Sequence, residues 1–448
     1  MDFNTFKEIA IAQAQSMGIA DYELYYKVSQ SSSVSVFQHE VNEFTASTAG
    51  GVCFRCIVNG RMGYASTEEL SEAQAKAVVV RAAENAAVLE SDEPEFLCPG
   101  GQEYASLDLH PYALPSTEAL IAAALDAQEK LYAADPAVVD GTQTESLMEH
   151  NEIAICNSKG LDLHYANNLS GLVTSAVVRS GEETEDDYGV KLGALECIDI
   201  GKLAADTAAS AKAKLGGDVA PTGAYPVIFS PKAMADLLST FCGIFSSESA
   251  QKGLSRLADQ EGEIIASPMV TLVDDPFHKD NPMPINFDAE GCPTYCKKVI
   301  ENGRLNTLLY NMKTAAVAGK KTTGNAFKSG YSSSVTVLPF TMYLAPGEYS
   351  EEALLQKAGS GVYINALGGL HAGANSISGD FSLQSAGFLI EDGRKTTHVK
   401  SFTVAGNFYD LMKNITAVGS NLELPMPLGM TAFGSPSVLV ENLSIAGK

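Results

Sequence analysis

Seven histidines are the residues of this chain best suited to bind a zinc ion, and their spacing decides whether two of them could share one. Zinc peptidases usually carry two histidines one helical turn apart with a glutamate nearby, because both imidazoles must reach the metal while the carboxylate activates its bound water. No two histidines of this chain lie within five residues of each other, and the His39-Glu40 dipeptide has no second histidine beside it. The sequence therefore argues against an autonomous zinc-peptidase site.

Two cysteine pairs have the close spacing found in metal and redox motifs. Cys53 and Cys56 lie in a predicted strand, where side chains three positions apart point to opposite faces. Cys292 and Cys296 bracket a Pro-Thr turn, and no second pair follows at the spacing of a zinc site. We expect structural roles for all four, and the sequence alone leaves any further role of Cys53 and Cys56 open.

Other motifs for covalent catalysis, phosphate binding or cation binding are weak or missing. There is no G-x-S-x-G nucleophile motif, Gly319 to Thr322 matches only part of a P-loop, and Gly359-x-Gly361 lacks the third glycine of a dinucleotide fingerprint. The acidic run 182–187 could chelate a hard cation, but blocks of like charge are usually solvated, so we expect a surface loop there.

The stretch 361–408 carries the densest glycines of the chain within a pattern that otherwise alternates like β-strand. Glycine inside a strand usually marks a bulge, a bend or a close backbone approach, which predicts the floor of a peptide-binding cleft. Here His371 is either structural or in contact with peptide, and we expect Asp380 to be a buried hydrogen-bond organiser rather than an acid catalyst. The candidate cleft residues are Gly369, His371, Gly373, Asn375, Gly379 and Asp380.

The elements that must position these residues follow from hydrophobic periodicity and turn signals. The first half predicts helix, antiparallel strands and helix twice over, which indicates an α+β region that could hold two similar layers. Its predicted helices span 2–17, 66–89, 116–133 and 200–215, and its predicted strands span 22–28, 33–39, 51–57, 61–65, 142–150, 152–157, 161–165 and 171–180.

A linker rich in glycine and proline lies near residue 220, and the sequence after it predicts short strands and many turns. Pro231 opens a predicted helix to residue 245, and Asn302-Gly303 and Asp392-Gly393 predict hairpins. We therefore expect an α+β fold whose C-terminal domain is β-rich and barrel-like and carries the cleft. The predicted domains are 1–95, 96–220 and 221–448.

Charge and composition exclude several classes of partner. The 448 residues carry a net charge of −24, which disfavours direct contact with nucleic acid or with an anionic membrane surface. The first 16 residues lack the basic and apolar regions of a signal peptide, and no apolar run reaches transmembrane length. Eight dispersed cysteines suit a reducing compartment, so we expect a cytoplasmic protein.

Several motifs together resemble the TldD/PmbA family, whose members are called modulators of DNA gyrase or microcin-processing peptidases. The resemblance spans essentially the whole chain and is most specific after residue 225. The motifs are FDAEGCPT (287–294), VIENGRL (299–305), KTTGNAF (321–327), GLHAGANSISGDFSLQSAGFLIEDG (369–393), TVAGNFYDLMKNITAVGSNLE (403–423) and SPSVLVENLSIAGK (435–448).

The resemblance favours the PmbA (TldE) branch, because the TldD branch carries an HExxxH helix and a downstream cysteine that hold the metal. Here the corresponding helix, 234–253, has no histidine, and the downstream segment, 422–437, has no cysteine. No metal ligand can be carried over, so the resemblance implies no cofactor in this chain, and it implies zinc on a TldD-type partner.

The resemblance implies one subunit of a cytoplasmic two-component metalloprotease that processes small unfolded peptides and affects DNA gyrase indirectly. Two alternatives stay open: a peptidase active alone through an unrecognised site around His371 and Asp380, and a non-proteolytic protein acting on gyrase. A homodimer in isolation is compatible with a surface built for a related partner. The peptide substrate, the identity of the partner and the oligomeric state do not follow from the sequence.

Overall fold

A computed structural model describes residues 1–90, 93–107, 113–425 and 430–448. The first half contains one antiparallel sheet with the strands β1 (Asp21–Phe37), β2 (Glu40–Val58), β3 (Arg61–Thr67), β4 (Gln143–Asn157), β5 (Asp162–Ser180) and β6 (Glu183–Leu192). Their order across the sheet is β3-β2-β1-β4-β5-β6. The two groups of antiparallel strands predicted from the sequence could have formed separate layers. They are instead the two halves of one sheet, joined where β1 pairs with β4. This sheet runs across the predicted boundary at residue 95, and the domain boundaries themselves stay predictions.

Several predicted strands are segments of longer ones. The predicted strands 22–28 and 33–39 form a single strand, since the serine run Ser31 to Ser33 continues the pairing with β2 on one side and β4 on the other. Each serine backbone thereby finds its hydrogen bonds in the ladder despite the weak strand propensity of serine. Long-range pairing decided these boundaries, which is why local patterns missed them.

Four helices pack on one face of this sheet: α1 (Phe3–Ser16), α2 (Glu72–Val88), α3 (Thr117–Ala134) and α4 (Ile200–Lys212). Ser116 caps α3 as its position predicts, whereas α2 begins after Ser71 instead of at Ser66. Leu24 contributes to the core beneath α1 and α2, and Val34, an even number of residues further along β1, packs with α3. The alternation of β1 therefore places α1, α2 and α3 on the same side, and α4 packs with α3 over β5.

The opposite face of the sheet packs against the C-terminal half of the chain. Tyr25, Ile153 and Ile155 project from β1 and β4 into a buried cluster with Ile285 and Phe287. The segment 93–107 borders the same cluster through Cys98 and Tyr104. The sheet is thus the middle layer of the molecule, between the helices and the C-terminal half.

The C-terminal half contains further strands and helices. Its strands are β7 (Asp218–Val219), β8 (Gly223–Phe229), β9 (Leu272–Asp274), β10 (Lys297–Glu301), β11 (Arg304–Leu305), β12 (Ala326–Phe327), β13 (Thr336–Val337), β14 (Thr341–Leu344), β15 (Gly361–Gly368), β16 (Asp380–Glu391), β17 (Arg394–Asn407), β18 (Ile415–Val418), β19 (Ala432–Gly434) and β20 (Val438–Ala446). Its helices are α5 (Pro231–Phe241), α6 (Ser247–Gln251), α7 (Met312–Val317), α8 (Glu351–Ala358), α9 (Leu370–Gly373) and α10 (Phe408–Lys413).

Five of these strands close into a barrel, which confirms the α+β class with a β-rich, barrel-like C-terminal domain. The neighbours run β20-β8-β15-β16-β17, and β17 pairs back onto β20. A second sheet has the order β11-β10-β9-β14-β19. Both predicted hairpin turns form, with Asn302-Gly303 and Asp392-Gly393 in the left-handed conformation. Among the described helices, none is long and apolar enough to cross a lipid bilayer.

Candidate functional site

The glycine-rich motif forms the connection between barrel strands β15 and β16. Gly369 (φ 74°) begins the short helix α9, and Gly379 (φ 81°) ends the following turn. Both have left-handed backbone conformations, which glycine adopts without strain. We call residues 369–380 the glycine loop.

Neighbouring atoms leave no room for a side chain at two glycines of the loop. A Cβ atom at Gly373 would lie 2.4 Å from the Ser382 carbonyl oxygen, and one at Gly379 would lie 2.5 Å from the Tyr409 ring. These glycines therefore let the loop pack directly on strand β16 and on helix α10, as expected for a close backbone approach.

Asn375 organises the turn. Its Oδ1 accepts hydrogen bonds from the backbone N–H groups of Ile377 and Ser378, at 3.0 and 3.1 Å. Its own N–H donates to the Asp380 carbonyl oxygen at 2.8 Å. This side chain mimics a backbone turn and holds the loop in shape.

Asp380 organises hydrogen bonds as expected, but the expectation that it is buried is wrong. Its side chain is exposed, and its Oδ1 accepts a hydrogen bond from Asn407 Nδ2 at 2.8 Å. The same amide donates to the Ser378 carbonyl oxygen at 2.9 Å. Hydrogen bonds from Asn407 and then from Ser378 hold the pKa of Asp380 below its usual value, so this carboxylate is ionised and unsuited to act as a general acid.

His371 is exposed on α9 and is not paired with Asp380, whose side-chain partner is Asn407. Within the described residues, His371 has no hydrogen bond or ion pair. The six candidate cleft residues thus lie together in this loop, but they do not form an acid–base pair. Their contact with a peptide stays a prediction.

Two neighbours of the loop, Tyr409 and Arg256, were not singled out from the sequence. Tyr409 lies against Gly379, and its hydroxyl accepts a hydrogen bond from the Arg256 backbone N–H at 3.2 Å. The Arg256 guanidinium lies 5.3 Å from the centre of the Tyr409 ring, a cation–π distance. Two apolar side chains of these segments, Leu254 and Ile377, are 42% and 50% exposed. The motif TVAGNFYDLMK contained Asn407 and Tyr409, but only the fold brings Arg256 beside them.

The helix that could carry metal ligands is instead part of the apolar core. Met234, Leu237, Leu238 and Phe241 of α5 are fully buried, and Phe241 stacks on Phe408 at 4.6 Å between ring centres. Neither α5 nor α6 has a histidine. The residues present therefore do not fit a catalytic zinc ion at this position.

Among the described residues, one group has side chains close enough to share a metal: Asp288, Glu290 and Cys292, all buried against the N-terminal sheet. Asp288 accepts hydrogen bonds from the backbone N–H groups of Glu290, Cys292 and Ala326, which gives it a structural role in this turn. Burial, and then the charge of Glu290, raises the pKa of Asp288 to about 8. The group is enclosed by the contact between the two halves and has no access to peptide.

The other sequence candidates occupy structural positions. Cys53 and Cys56 face opposite sides of β2, in two different buried clusters, as their spacing predicts. The acidic run is not a loop: most of it belongs to strand β6, where Glu183 and Glu185 pair with Lys400. Hydrogen bonds to the neighbouring strand and ion pairs with lysine offset the repulsion between the acidic side chains, which was the reason to expect a loop.

Two cavities of the described structure lie away from the glycine loop. One, of about 10 Å³, has room for a single water molecule between Tyr25, Asp288 and Lys328. The other is a groove of about 340 Å³ beside α1, bordered by the Phe3–Tyr26 stack and the His164–Glu152 pair. In this single chain the glycine loop is an open surface, so any enclosed peptide channel would need a second subunit.

Three domain models of one protein family match this chain. Residues 222–447 match the model of the PmbA/TldA metallopeptidase C-terminal domain. Residues 22–87 match domain 1 of the same family, and residues 110–215 match its central domain. The three matches follow one another in chain order and cover both the sheet and the barrel.

The relatives of this chain include proteins named PmbA and proteins named TldD. Metalloprotease PmbA of Escherichia coli O157:H7 is 28% identical over 427 residues, which cover 93% of this chain and 90% of the relative. A metalloprotease TldD homolog of Buchnera aphidicola subsp. Schizaphis graminum is 25% identical over 284 residues, covering 60% of this chain and 58% of the relative. A solved structure from Thermotoga maritima MSB8, a proposed modulator of a DNA gyrase, is 30% identical with a TM-score of 0.90, covering 99% of this chain and 100% of that one.

Proposed function

This chain belongs to the PmbA/TldD metallopeptidase family, and from that premise we propose that it is the metal-free, PmbA/TldE-like subunit of a two-component protease. In this proposal a TldD-type partner supplies the zinc ion and the water that it activates. The present chain shapes the surface on which small unfolded peptides bind. The site of action is the cytoplasm, and any effect on DNA gyrase is indirect, through peptide processing.

The observation that carries the proposal is the replacement of a metal-binding helix by an apolar one. A zinc ion needs three or more protein ligands with lone pairs directed at it. The corresponding helix α5 instead directs buried apolar side chains such as Leu237 and Phe241 into the core. A chain that keeps the family fold without these ligands can contribute shape to a protease but not a Lewis acid.

The glycine loop supports the second part of the proposal. Its exposed backbone and the exposed Ile377 offer contacts that do not depend on a particular peptide sequence. Arg256 and Asp380 add one charge of each sign beside it. Such a surface suits weakly selective recognition of extended chains, whereas the net charge of −24 disfavours direct action on DNA.

The test is reconstitution with a TldD-type protein that carries the HExxxH helix. We expect the two chains to co-purify, and we expect zinc-dependent cleavage of an unfolded peptide only when both are present. Zinc-dependent cleavage by the present chain alone would refute the proposal. Capture of gyrase without any TldD-type protein, combined with no cleavage by the mixture, would favour the non-proteolytic alternative.

A further inference from the structure

The N-terminal sheet leaves half of one strand without a neighbour on its outer side. Strand β2 pairs with β1 along almost its whole length, but β3, its other neighbour, pairs only with residues 52–58. Among the described residues, β1 is the only element that pairs with the backbone of residues 40–50. Residues 40–49 are all exposed. We call residues 40–50 the open edge.

The open edge lacks the usual protection of an edge strand. Natural edges are blunted by lysine, by proline or by covering elements, because an unpaired row of backbone donors and acceptors can add another strand. Residues 40–50 include neither lysine nor proline. The opposite edge strand, β6, is partly covered, because Lys214 donates to its backbone and Lys400 pairs with two of its glutamates. The open edge is therefore the more accessible of the two for strand addition.

Two large apolar side chains lie on the helix-covered face of the open edge. Phe44 is opposite Val34 and Val41 is opposite Val36 in the register of β1 and β2. Both valines are fully buried in the cluster beneath α3, whereas Phe44 is 49% exposed and Val41 is 43% exposed. The apolar core beneath α3 thus ends at side chains that a further strand would cover.

The charges of the open edge favour a second copy of itself in the antiparallel direction. Glu40 and Glu43 are its only charged side chains. With Phe44 opposite Phe44, an antiparallel copy sets Glu43 opposite Thr45 and Glu40 opposite Thr48, so that no carboxylate faces another. A parallel copy in register would instead place like carboxylates side by side, which is unfavourable.

The hairpin between β1 and β2 leaves room for this arrangement. Its turn, at Gln38 and His39, would lie opposite residues 49–50 of the other copy, before β3 begins to pair at Val52. The bulge of the strand pair, between Ser35 and Val36, lies toward this turn. The strand is therefore regular from Glu43 onward, and the pairing is strongest around Phe44.

We propose that two copies of this chain associate through their open edges, antiparallel across a two-fold axis at Phe44. The two six-stranded sheets then form one continuous sheet. Each copy uses the same surface, as a two-fold contact requires, and the two Phe44 rings meet at the axis as an aromatic cross-strand pair. The association involves no metal-bearing partner, so its failure would leave the proposed function untouched.

The test measures the mass of the full-length chain by sedimentation over a concentration series. We expect a dimer for the wild-type chain and slower hydrogen exchange at residues 40–50 in the dimer than in the monomer. Phe44→Lys and Phe44→Glu each place two like charges at the axis, so each variant alone should have a dimer dissociation constant raised by about tenfold or more. An equal mixture of the two variants should regain dimers, because opposite charges then meet at the axis.

Tyr188→Lys is the matched control, because Tyr188 is a 54% exposed aromatic residue on the opposite edge strand β6, and this variant should stay dimeric. Recovery of dimers on mixing also shows that both Phe44 variants remain folded. A wild-type chain that stays monomeric at every concentration would overturn the proposal, and so would dimers that survive both Phe44 variants or dissociate with Tyr188→Lys. Failure of the mixture to recover dimers would show that Phe44 is not at the axis. Protection of residues 40–50 only by a TldD-type chain or by a peptide would assign the open edge to that occupant instead.

Discussion

At the scale of single residues, the glycines of the loop have distinguishable roles. Gly369 and Gly379 share a left-handed backbone, but only Gly379 also faces a neighbouring side chain where a Cβ would be. Conformational strain and steric overlap are therefore separable by substituting alanine at each position.

We predict that Gly379→Ala is more destabilising than Gly369→Ala. Each change adds about 1–2 kcal/mol of left-handed backbone strain. Gly379→Ala also pushes a methyl group to within 2.5 Å of the Tyr409 ring, which adds roughly 1–3 kcal/mol of overpacking. Denaturant unfolding of both variants measures the difference, and equal losses of stability would show that the Tyr409 ring moves aside freely.

A second residue-scale prediction concerns the exposed side chain of the loop and depends on the proposed function. Ile377→Asp places a charge on the peptide surface without opening a cavity, because Ile377 is 50% exposed. We expect the reconstituted protease to show a several-fold higher KM, corresponding to about 1 kcal/mol of lost apolar contact. Ile264→Asp, at a 57% exposed site outside the loop, is the matched control. Identical KM values for the two variants would place the peptide elsewhere.

At the scale of elements, sequence patterns found the units and missed how they pair. The Asn302-Gly303 and Asp392-Gly393 turns, the Ser116 cap and Pro231 in the first turn of α5 all act through neighbouring residues, so local sequence sufficed. The continuity of β1 through its serines instead depends on β4, more than a hundred residues away. The neighbours of the glycine loop, Arg256 and Tyr409, likewise come together only through the barrel.

The junction of β9 and β14 depends on one buried ion pair. Asp274 accepts hydrogen bonds from Lys297 Nζ at 3.0 Å and from Asn325 Nδ2 at 2.8 Å, and it also accepts the backbone N–H groups of Phe340 and Thr341. Asp274 is fully buried, and the Lys297 side chain is 4% exposed. Loss of the carboxylate would leave a buried ammonium group without compensation.

We therefore predict that Asp274→Ala lowers the free energy of unfolding by roughly 3–5 kcal/mol. Glu301→Ala, which removes the exposed partner of Lys298, should leave stability unchanged within error, because water solvates both of its groups. Thermal and denaturant unfolding of the two variants provide the comparison. A loss as small for Asp274→Ala as for Glu301→Ala would mean that water reaches Lys297.

At the scale of the whole molecule, the N-terminal sheet is covered on both faces, by its own helices and by the C-terminal half. The sequence indicated antiparallel strands with helices, but nothing local showed what would cover each face of the sheet. The contact between the N-terminal sheet and the C-terminal half brings together polar groups that are far apart in the sequence, including Glu23, Arg55, Asp288 and Glu290. Arg55 Nε donates to Glu23 at 2.7 Å, Asp288 accepts the backbone N–H of Glu290, and Glu290 accepts the backbone N–H of Met312.

This contact predicts a pH dependence of global stability. Burial and the charge of Glu290 raise the pKa of Asp288 from 3.8 to about 8, and burial raises that of Glu290 as well. A carboxyl whose pKa is higher in the folded state binds more protons there, so its contribution is complete below pH 4 and is lost as pH rises through about 8. We expect the free energy of unfolding to fall across this window, by at most about 1.4 kcal/mol per pH unit for each carboxyl.

Asp288→Asn isolates this contribution, because the amide oxygen can still accept the N–H groups of Glu290 and Cys292 but cannot titrate. The variant is less stable at low pH, where it loses the bond from Ala326, and its stability falls less steeply between pH 5 and 8. Urea unfolding at a series of pH values gives both slopes. The prediction is wrong if the free energy of unfolding falls with the same slope between pH 5 and 8 in the wild-type chain and in the variant. The backbone donors would then keep Asp288 ionised over this whole range, and its protonation would not contribute to the pH dependence of stability.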